Sequence, residues 1–255
     1  MKQVTIVGGG GGLGSKLVEQ LLDRDYRVTV VGRTRPKEPR LQNFLTTDVT
    51  HTDWRSLYAT IEKLTGAPIS AVVFVAGTAA FGRTAQIPPD RARHTFELNF
   101  WACTSAATAA AEYWSEARRP GKFLAILSIV ARHAVPLEAY YSASKAAAAR
   151  FLESLQFEYA GRKIELMSVF PGMLKTPFRR RAEWYGVTSA SDEQGADVQQ
   201  TSRAIIRLLE GRRRTRVIGW RERSIDVADH VLPGVYDRVV LRARARKLLA
   251  FDAVS

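Results

Sequence analysis

Tyr141 and Lys145 stand four residues apart in Tyr141-Ser-Ala-Ser-Lys145, and Ser128 lies upstream at the end of an apolar run. On a helix, positions i and i+4 share one face, so this spacing sets a phenol beside an ammonium. A free tyrosine holds its proton to about pH 10, and a cation a few ångströms away favours the phenolate. Such a pair gives and takes protons near neutral pH, while Ser128, on another element, hydrogen-bonds the same substrate oxygen. The neighbouring Tyr140 has Ser144 at its i+4 position, so only Tyr141 carries the lysine. The plainer alternative is an amphipathic helix with a half-buried tyrosine and a solvated lysine. The rest of the chain decides between them.

The elements that must position these groups begin at the other end. Gln3 to Val7 reads as a buried strand, followed by glycine from Gly8 to Gly12, then Leu13 and Gly14. Leu17, Val18, Leu21 and Leu22 then follow helical period. Strand, glycine turn and helix form a dinucleotide-binding βα unit. Glycine lets the backbone approach a pyrophosphate, and the free N–H groups at the helix start bind its charge. A flexible linker fits poorly between a strand and a strongly periodic helix. The next strand, Arg27 to Val31, ends in Gly32-Arg33-Thr34-Arg35, with no Asp or Glu between Arg27 and Lys37. An acidic residue there would select NAD, whereas Arg accommodates a 2′-phosphate. Arg33, helped by Arg35 or Lys37, therefore points to NADP(H); one more exposed arginine in an arginine-rich chain is the bland alternative.

With these residues in place the chain resembles the short-chain dehydrogenases/reductases. Gly8, Gly12 and Gly14 fit that family's G-x-x-x-G-x-G pattern. Asp48-Val49 looks like its adenine-contacting Asp-Val, and Val75-Ala76-Gly77 sits where the family has Asn-Asn-Ala-Gly. Asn99, Ser128, Tyr141 and Lys145 match its catalytic four, and Pro171-Gly172-Met173-Leu174-Lys175-Thr176 its Pro-Gly-x-x-x-Thr nicotinamide clamp. The matches run in family order from residue 3 to about 178.

The resemblance implies a role for each position. Tyr141 protonates the substrate oxygen, and Ser128 stabilises charge on it. Lys145 lowers the tyrosine pKa and binds the nicotinamide ribose, and Asn99 holds a water leading to solvent. Leu174 main chain and Thr176 orient the carboxamide, with Gly8, Gly12, Leu13, Gly14, Arg33, Asp48, Val49, Ala76, Gly77, Pro171 and Gly172 around the cofactor. Plainer roles also exist: a backbone-bonded helix asparagine for Asn99, a strand-end cap for Ser128, and a helix N-cap for Thr176. His94, His133 and His230 read as surface or satisfied core residues.

Two departures stand out. The family commonly pairs a Thr before the first glycine with the second Asn of Asn-Asn-Ala-Gly, and here these are Val7 and Val75. Replacing both partners of a polar tie by apolar groups is nearly neutral, so an apolar contact between the first and fourth strands is expected. Between Arg33 and Asp48, Pro36 and Pro39 leave room for a loop or a single turn but no crossover helix.

The expected fold is α/β, a doubly wound, Rossmann-like parallel sheet of about seven strands in one domain. Strands are expected near 3–7, 27–31, 43–46, 70–75, 122–128, 163–169 and 215–219, and helices near 13–23, 52–64, 90–117, 140–160 and 196–210. Residues 1–220 form the NADP-binding catalytic domain, with a substrate lid near 176–195. Residues 221–255 form a basic, amphipathic extension interrupted at Pro233-Gly234, packed on the same domain or on a neighbouring subunit. Phe81, Val130, Val135, Leu137, Met173, Phe178, Trp184 and Tyr185 should line a mainly apolar pocket suited to a hydrophobic carbonyl or alcohol substrate. Arg179-Arg180-Arg181 reads as a solvated basic turn, or as a site for an acidic substrate.

One cysteine, Cys103, excludes an internal disulfide, and no Cys/His cluster has metal-ligand spacing. With no signal peptide and no membrane span evident, a cytoplasmic protein is expected. The formal charge is +13, and residues 203 to 247 are especially basic. No aromatic–basic interleaving accompanies the charge, so no nucleic acid is expected; a membrane surface or an acidic carrier protein is the minor alternative to a solvated face. The alanines of the helices near 90–117 and 140–160 suit close helix approach, and in the resembled family these helices form the dimer interface. A homodimer or homotetramer is expected. The leading reading is an NADPH-dependent carbonyl reductase, against an alcohol dehydrogenase working oxidatively and a catalytically silent NADPH-sensing protein.

Overall fold

A computed structural model describes residues 2–187, 195–211 and 213–231. Its centre is a parallel sheet of seven strands: β1 (Gln3–Val7), β2 (Arg27–Gly32), β3 (Asn43–Thr46), β4 (Ile69–Phe74), β6 (Gly121–Ile126), β7 (Ile164–Pro171) and β9 (Thr215–Ile218). The spatial order β3-β2-β1-β4-β6-β7-β9 reverses direction between β1 and β4. In open α/β sheets, ligands bind outside the carboxyl ends of the strands at such a point. All five residues of β1 are buried, as expected of a parallel strand covered on both faces.

Helices α1 (Gly12–Leu22) and α7 (Val198–Glu210) contribute to the core on one side of the sheet. On the other side pack α2 (Trp54–Thr65), α4 (Ala102–Glu116) and α5 (Ala139–Glu158). α2 starts two residues later than expected because Asp53 caps it, accepting from the N–H groups of Arg55 and Ser56. No helix lies between β2 and β3, as the prolines required. The alanines of α4 explain themselves inside the chain: Ala102, Ala106, Ala107, Ala110 and Ala111 are all buried in the core. What α4 and α5 leave outside near their ends is Trp101 and Phe157, 55% and 80% exposed.

Three features depart from the expected outline. The long helix of 90–117 is broken into α3 (Pro89–Phe96), a π turn over Glu97–Trp101, and α4. A second, two-stranded parallel sheet joins β5 (Ala80–Gly82) to β8 (Glu183–Tyr185), with α6 (Phe178–Arg181) just before β8. The contact expected between Val7 and Val75 is also absent, since Val7 packs in the core on one side of the sheet and Val75 against the core on the other. Their strands are tied through backbone instead, with the N–H groups of Val75 and Ala76 both donating to Val7 O at 2.8 and 3.0 Å.

Past β9, α8 (Trp220–Val231) packs back onto the same chain. Asp226 takes an ion pair from Arg132 and a 3.1 Å contact from His133 Nε2, and Asp229 stands 3.2 Å from His133 Nδ1. His133 is thus a buried histidine set between two carboxylates, and His94 is exposed. The His230 side chain, the Pro233-Gly234 interruption, the remaining extension and part of the expected lid lie outside the described residues. Among the described residues, no helix is long and apolar enough to cross a membrane.

Candidate active site

The glycine turn is shaped by close backbone approach. Gly8 has φ of +90°, a conformation that costs glycine little, and a Cβ there would stand 2.6 Å from Ala76 N. On Gly14 a Cβ would fall 2.8 Å from Gly9 Cα, so the turn is folded tightly onto α1. Gly11 is the N-cap of α1, with no side chain capping the first turn and no acid in it. Ser15, which the motif does not flag, donates from Oγ to Gly9 O at 3.0 Å and pins the loop. Uncapped N–H groups at a glycine-lined helix start fit the pyrophosphate of a dinucleotide. Leu13 is buried in the core on the α1 side, which leaves its backbone to face a ligand.

At the end of β2, Arg33 is exposed. Arg35 is committed elsewhere: its Nη2 donates to Leu41 O at 2.6 Å, and its guanidinium lies 5.9 Å from the Phe44 ring centroid. Asp48 is held below the usual carboxylate range, first by the Thr50 N–H and hydroxyl, with a smaller pull from Arg33. Arg33 and Asp48 therefore share one corner beyond the ends of β2 and β3, beside buried Val49.

The sequence-marked polar groups converge at the carboxyl ends of β4 and β6. Asn99 is 1% exposed and sits in the π turn. Its Nδ2 donates to Thr78 O at 2.9 Å and Ser144 Oγ at 3.0 Å, and its Oδ1 accepts from Thr78 N at 2.9 Å. The helix locally adopts the wider register often found at functional sites, with the Asn99 side chain stapled to the loop after β4. Ser144, inside the Tyr-to-Lys motif, completes the tie by donating to Tyr141 O at 2.8 Å. A Cβ on Gly77 would stand 3.1 Å from Asn99 Oδ1 and 3.2 Å from Lys145 Nζ, so Gly77 sits directly against both. Ser128 follows β6 in extended conformation, accepts from Val130 N at 3.4 Å, and lies close enough to the Tyr141 phenol to favour its ionised form.

The electrostatics differ from the simple expectation that Lys145 depresses Tyr141. Lys145 Nζ lies 6.0 Å from the Tyr141 ring centroid and donates to Ile126 O at 3.2 Å. Burial pushes the lysine down to about 8. Burial also pushes the Tyr141 phenol well above its ordinary value, with Glu138 adding to the rise and Ser128 and Arg179 opposing it. Desolvation of both charged forms outweighs their mutual attraction in the chain by itself.

The clamp after β7 reaches the glycine turn: a Cβ on Gly12 would lie 3.0 Å from Thr176 Cγ2. Pro171 is buried at the strand end, Leu174 pairs with Ala196, and Thr176 N donates to Leu174 O at 2.8 Å. Thr176 Oγ1 also accepts from Phe178 N at 3.4 Å, but Pro177, not Thr176, is the N-cap of α6. Glu222 of α8 lies against Gly172. The glycine turn, Arg33, the Asn99–Ser128–Tyr141–Lys145 group and the clamp thus line one end of the sheet, and their donors and glycine approaches fit a dinucleotide.

Over Tyr141 sits an aromatic wall. Phe81 and Phe178 have ring centroids 5.5 and 5.8 Å from it, and Trp184 lies 4.9 Å from Phe81. Val130 joins this cluster, whereas Tyr185 packs behind it with Ala80, Ile87, Ala92 and Tyr140. Leu137 holds a positive φ of 68° and bonds Gly82 N through its carbonyl at 2.8 Å. Arg179 is not part of a solvated basic turn. Its guanidinium lies 4.6 Å from the Phe81 centroid and 5.0 Å from that of Trp184, and Nη1 pairs with buried Glu138 at 2.8 Å. Neither Glu138 nor Arg179 carries a local signal, because their partners are distant in sequence.

The doubly wound parallel sheet is that of a dinucleotide-binding α/β protein, and it carries a buried tyrosine and lysine beyond its carboxyl end. The short chain dehydrogenase family model matches residues 2–184, and the chain belongs to that family. It is 26% identical over 181 residues to an "uncharacterized oxidoreductase" of Myxococcus xanthus, covering 67% of this chain and 71% of that protein. It is 28% identical over 185 residues to the dehydrogenase/reductase SDR family member 7B of Bos taurus, covering 70% of this chain but 56% of that longer protein. A short chain dehydrogenase of Burkholderia cenocepacia, crystallised in complex with NADP, shares the fold with a TM-score of 0.78 at 24% identity, over 94% of this chain and 99% of that one.

Proposed function

We propose that this protein is an NADPH-dependent carbonyl reductase acting on an apolar ketone. The observation that carries the reading is the convergence of Ser128, Tyr141 and Lys145 with Asn99 and Gly77 at the sheet end that also holds the glycine turn. When bound, the nicotinamide supplies a hydride to the carbonyl carbon. Tyr141 donates a proton to the carbonyl oxygen, and burial, by keeping the phenol protonated, suits it to that acid role. Ser128 donates a hydrogen bond to the same oxygen and steadies its developing charge. Lys145, anchored on Ile126 O, is set to hold the cofactor ribose and return a proton toward Tyr141. Asn99 fixes the loop that carries Gly77 against Lys145. The glycine turn takes the pyrophosphate, Asp48-Val49 and Ala76-Gly77 flank the adenosine and ribose, and Pro171 to Thr176 orient the carboxamide.

Arg33 is the group suited to a 2′-phosphate, and the NADP-bound Burkholderia relative supports that choice. The aromatic wall of Phe81, Phe178 and Trp184 favours a flat apolar ketone over a sugar. Trp101 and Phe157, exposed on the π turn and on α5, suit a homo-oligomeric contact. The test is NADPH consumption across matched apolar and polyhydroxylated ketones. The reading expects turnover with the apolar set and about tenfold or weaker use of NADH. NADPH bound but never consumed with any carbonyl would favour a sensor.

A further inference from the structure

We propose that Glu138 and Arg179 act as a positioning couple for Tyr141, fixing the segment from Phe178 to Tyr185 across the phenol ring. The proposal rests on the acid–base reading of Tyr141. Glu138 stands three residues before Tyr141, just ahead of the first turn of α5, 5% exposed, and its backbone carbonyl accepts from Ser142 N at 2.8 Å. Arg179 reaches it from α6, pairing Nη1 with Oε1 at 2.8 Å. A carboxylate buried to this degree is stable only when paired.

The couple also organises the wall. Arg179 stacks on Phe81 and Trp184 at 4.6 and 5.0 Å, and its backbone carbonyl accepts from Trp184 Nε1 at 2.9 Å. Phe81 in turn meets Tyr141 edge-on. One guanidinium therefore joins Glu138 at the start of α5 with α6, β5 and β8 beside the Tyr141 ring. A planar, delocalised cation can stack and pair at once, which lysine cannot do. The charged and titratable groups facing the phenol are Glu138 and Lys145 from α5 and Arg179 from α6, with the Ser128 hydroxyl from the turn after β6. Glu138 works against phenolate formation and Arg179 for it, so the intact pair leaves the two influences opposed.

The test is steady-state kinetics of NADPH-driven ketone reduction. Arg179→Met raises the ketone KM several-fold, because the stack that holds Phe81 and Trp184 is lost, and leaves the KM for NADPH within about twofold of wild type. Arg179→Lys keeps the charge but cannot stack, and does not rescue the ketone KM. Glu138→Gln raises the ketone KM in the same direction, and the double variant is no worse than the more affected single variant, since both changes break one coupled unit. If Arg179→Met does not fold, Glu138→Gln and Arg179→Lys carry the same readout. An unchanged ketone KM in Glu138→Gln and Arg179→Lys, or fully additive effects in the double variant, with turnover abolished in Tyr141→Phe, overturns the couple alone. Full turnover in Tyr141→Phe overturns the acid–base reading and the couple with it.

Discussion

The two ends of the proposed site are built by different means. At the nucleotide end, backbone does the shaping: a positive φ at Gly8, tight approach at Gly14, and an uncapped α1 start. At the substrate end, long side chains do it: Phe81, Trp184, Arg179 and Glu138, brought together from β5, β8, α6 and the start of α5. Backbone shaping tolerates almost no substitution, because an added Cβ meets main chain that cannot step aside. Side-chain shaping tolerates change and tunes with it. The difference teaches which half of the proposed site is fixed by main chain and which is open to adjustment by side chains.

Substitutions that break this comparison rank by expected effect. Lys145→Met should cost turnover a hundredfold or more, roughly the range of lost proton-transfer assistance, yet stabilise the free chain. The folded-state ammonium is lowered to about 8 from 10.5, so its charge is penalised in the fold. That penalty is full below about pH 8 and fades toward pH 10.5. Thermal unfolding at pH 7 should therefore show the variant more stable, by on the order of 2–3 kcal/mol, with the gap closing as pH rises. Gly14→Ala should weaken NADPH binding by about a hundredfold, the cost of overpacking a turn that cannot relax. Arg33→Ala should lose about tenfold in NADPH affinity, the scale of one charge-assisted bond, while NADH binding stays unchanged. Trp184→Ala should alter KM among ketones a few-fold, as the lost contact of one ring predicts, and leave NADPH affinity alone. A large NADPH effect from Trp184→Ala would erase the distinction between the two ends.

The same distinction explains what the sequence made legible. The seven sheet strands and the helices around them fall within about two residues of their expected places, since buried parallel strands read as apolar runs and the helices keep their period. The glycine turn, Arg33 and the Tyr-to-Lys spacing were legible because local geometry alone relates their parts. The β5–β8 pairing, the π turn at Asn99 and the Glu138–Arg179 pair were not. Each depends on a partner far along the chain: Asn99 on Thr78, Phe81 on Trp184, Arg179 on Glu138. The depressed tyrosine expected from the i,i+4 lysine also failed, because spacing reports proximity but not desolvation.

The central claim is that Tyr141 supplies the proton for hydride transfer from NADPH. Single-turnover reduction of an apolar ketone by NADPH deuterated at the transferred position tests it in wild type and Tyr141→Phe. The account predicts deuterium on the product carbinol carbon in wild type, and a rate about a thousandfold lower in Tyr141→Phe with NADPH affinity unchanged. A Tyr141→Phe protein transferring deuterium at the wild-type rate would contradict it.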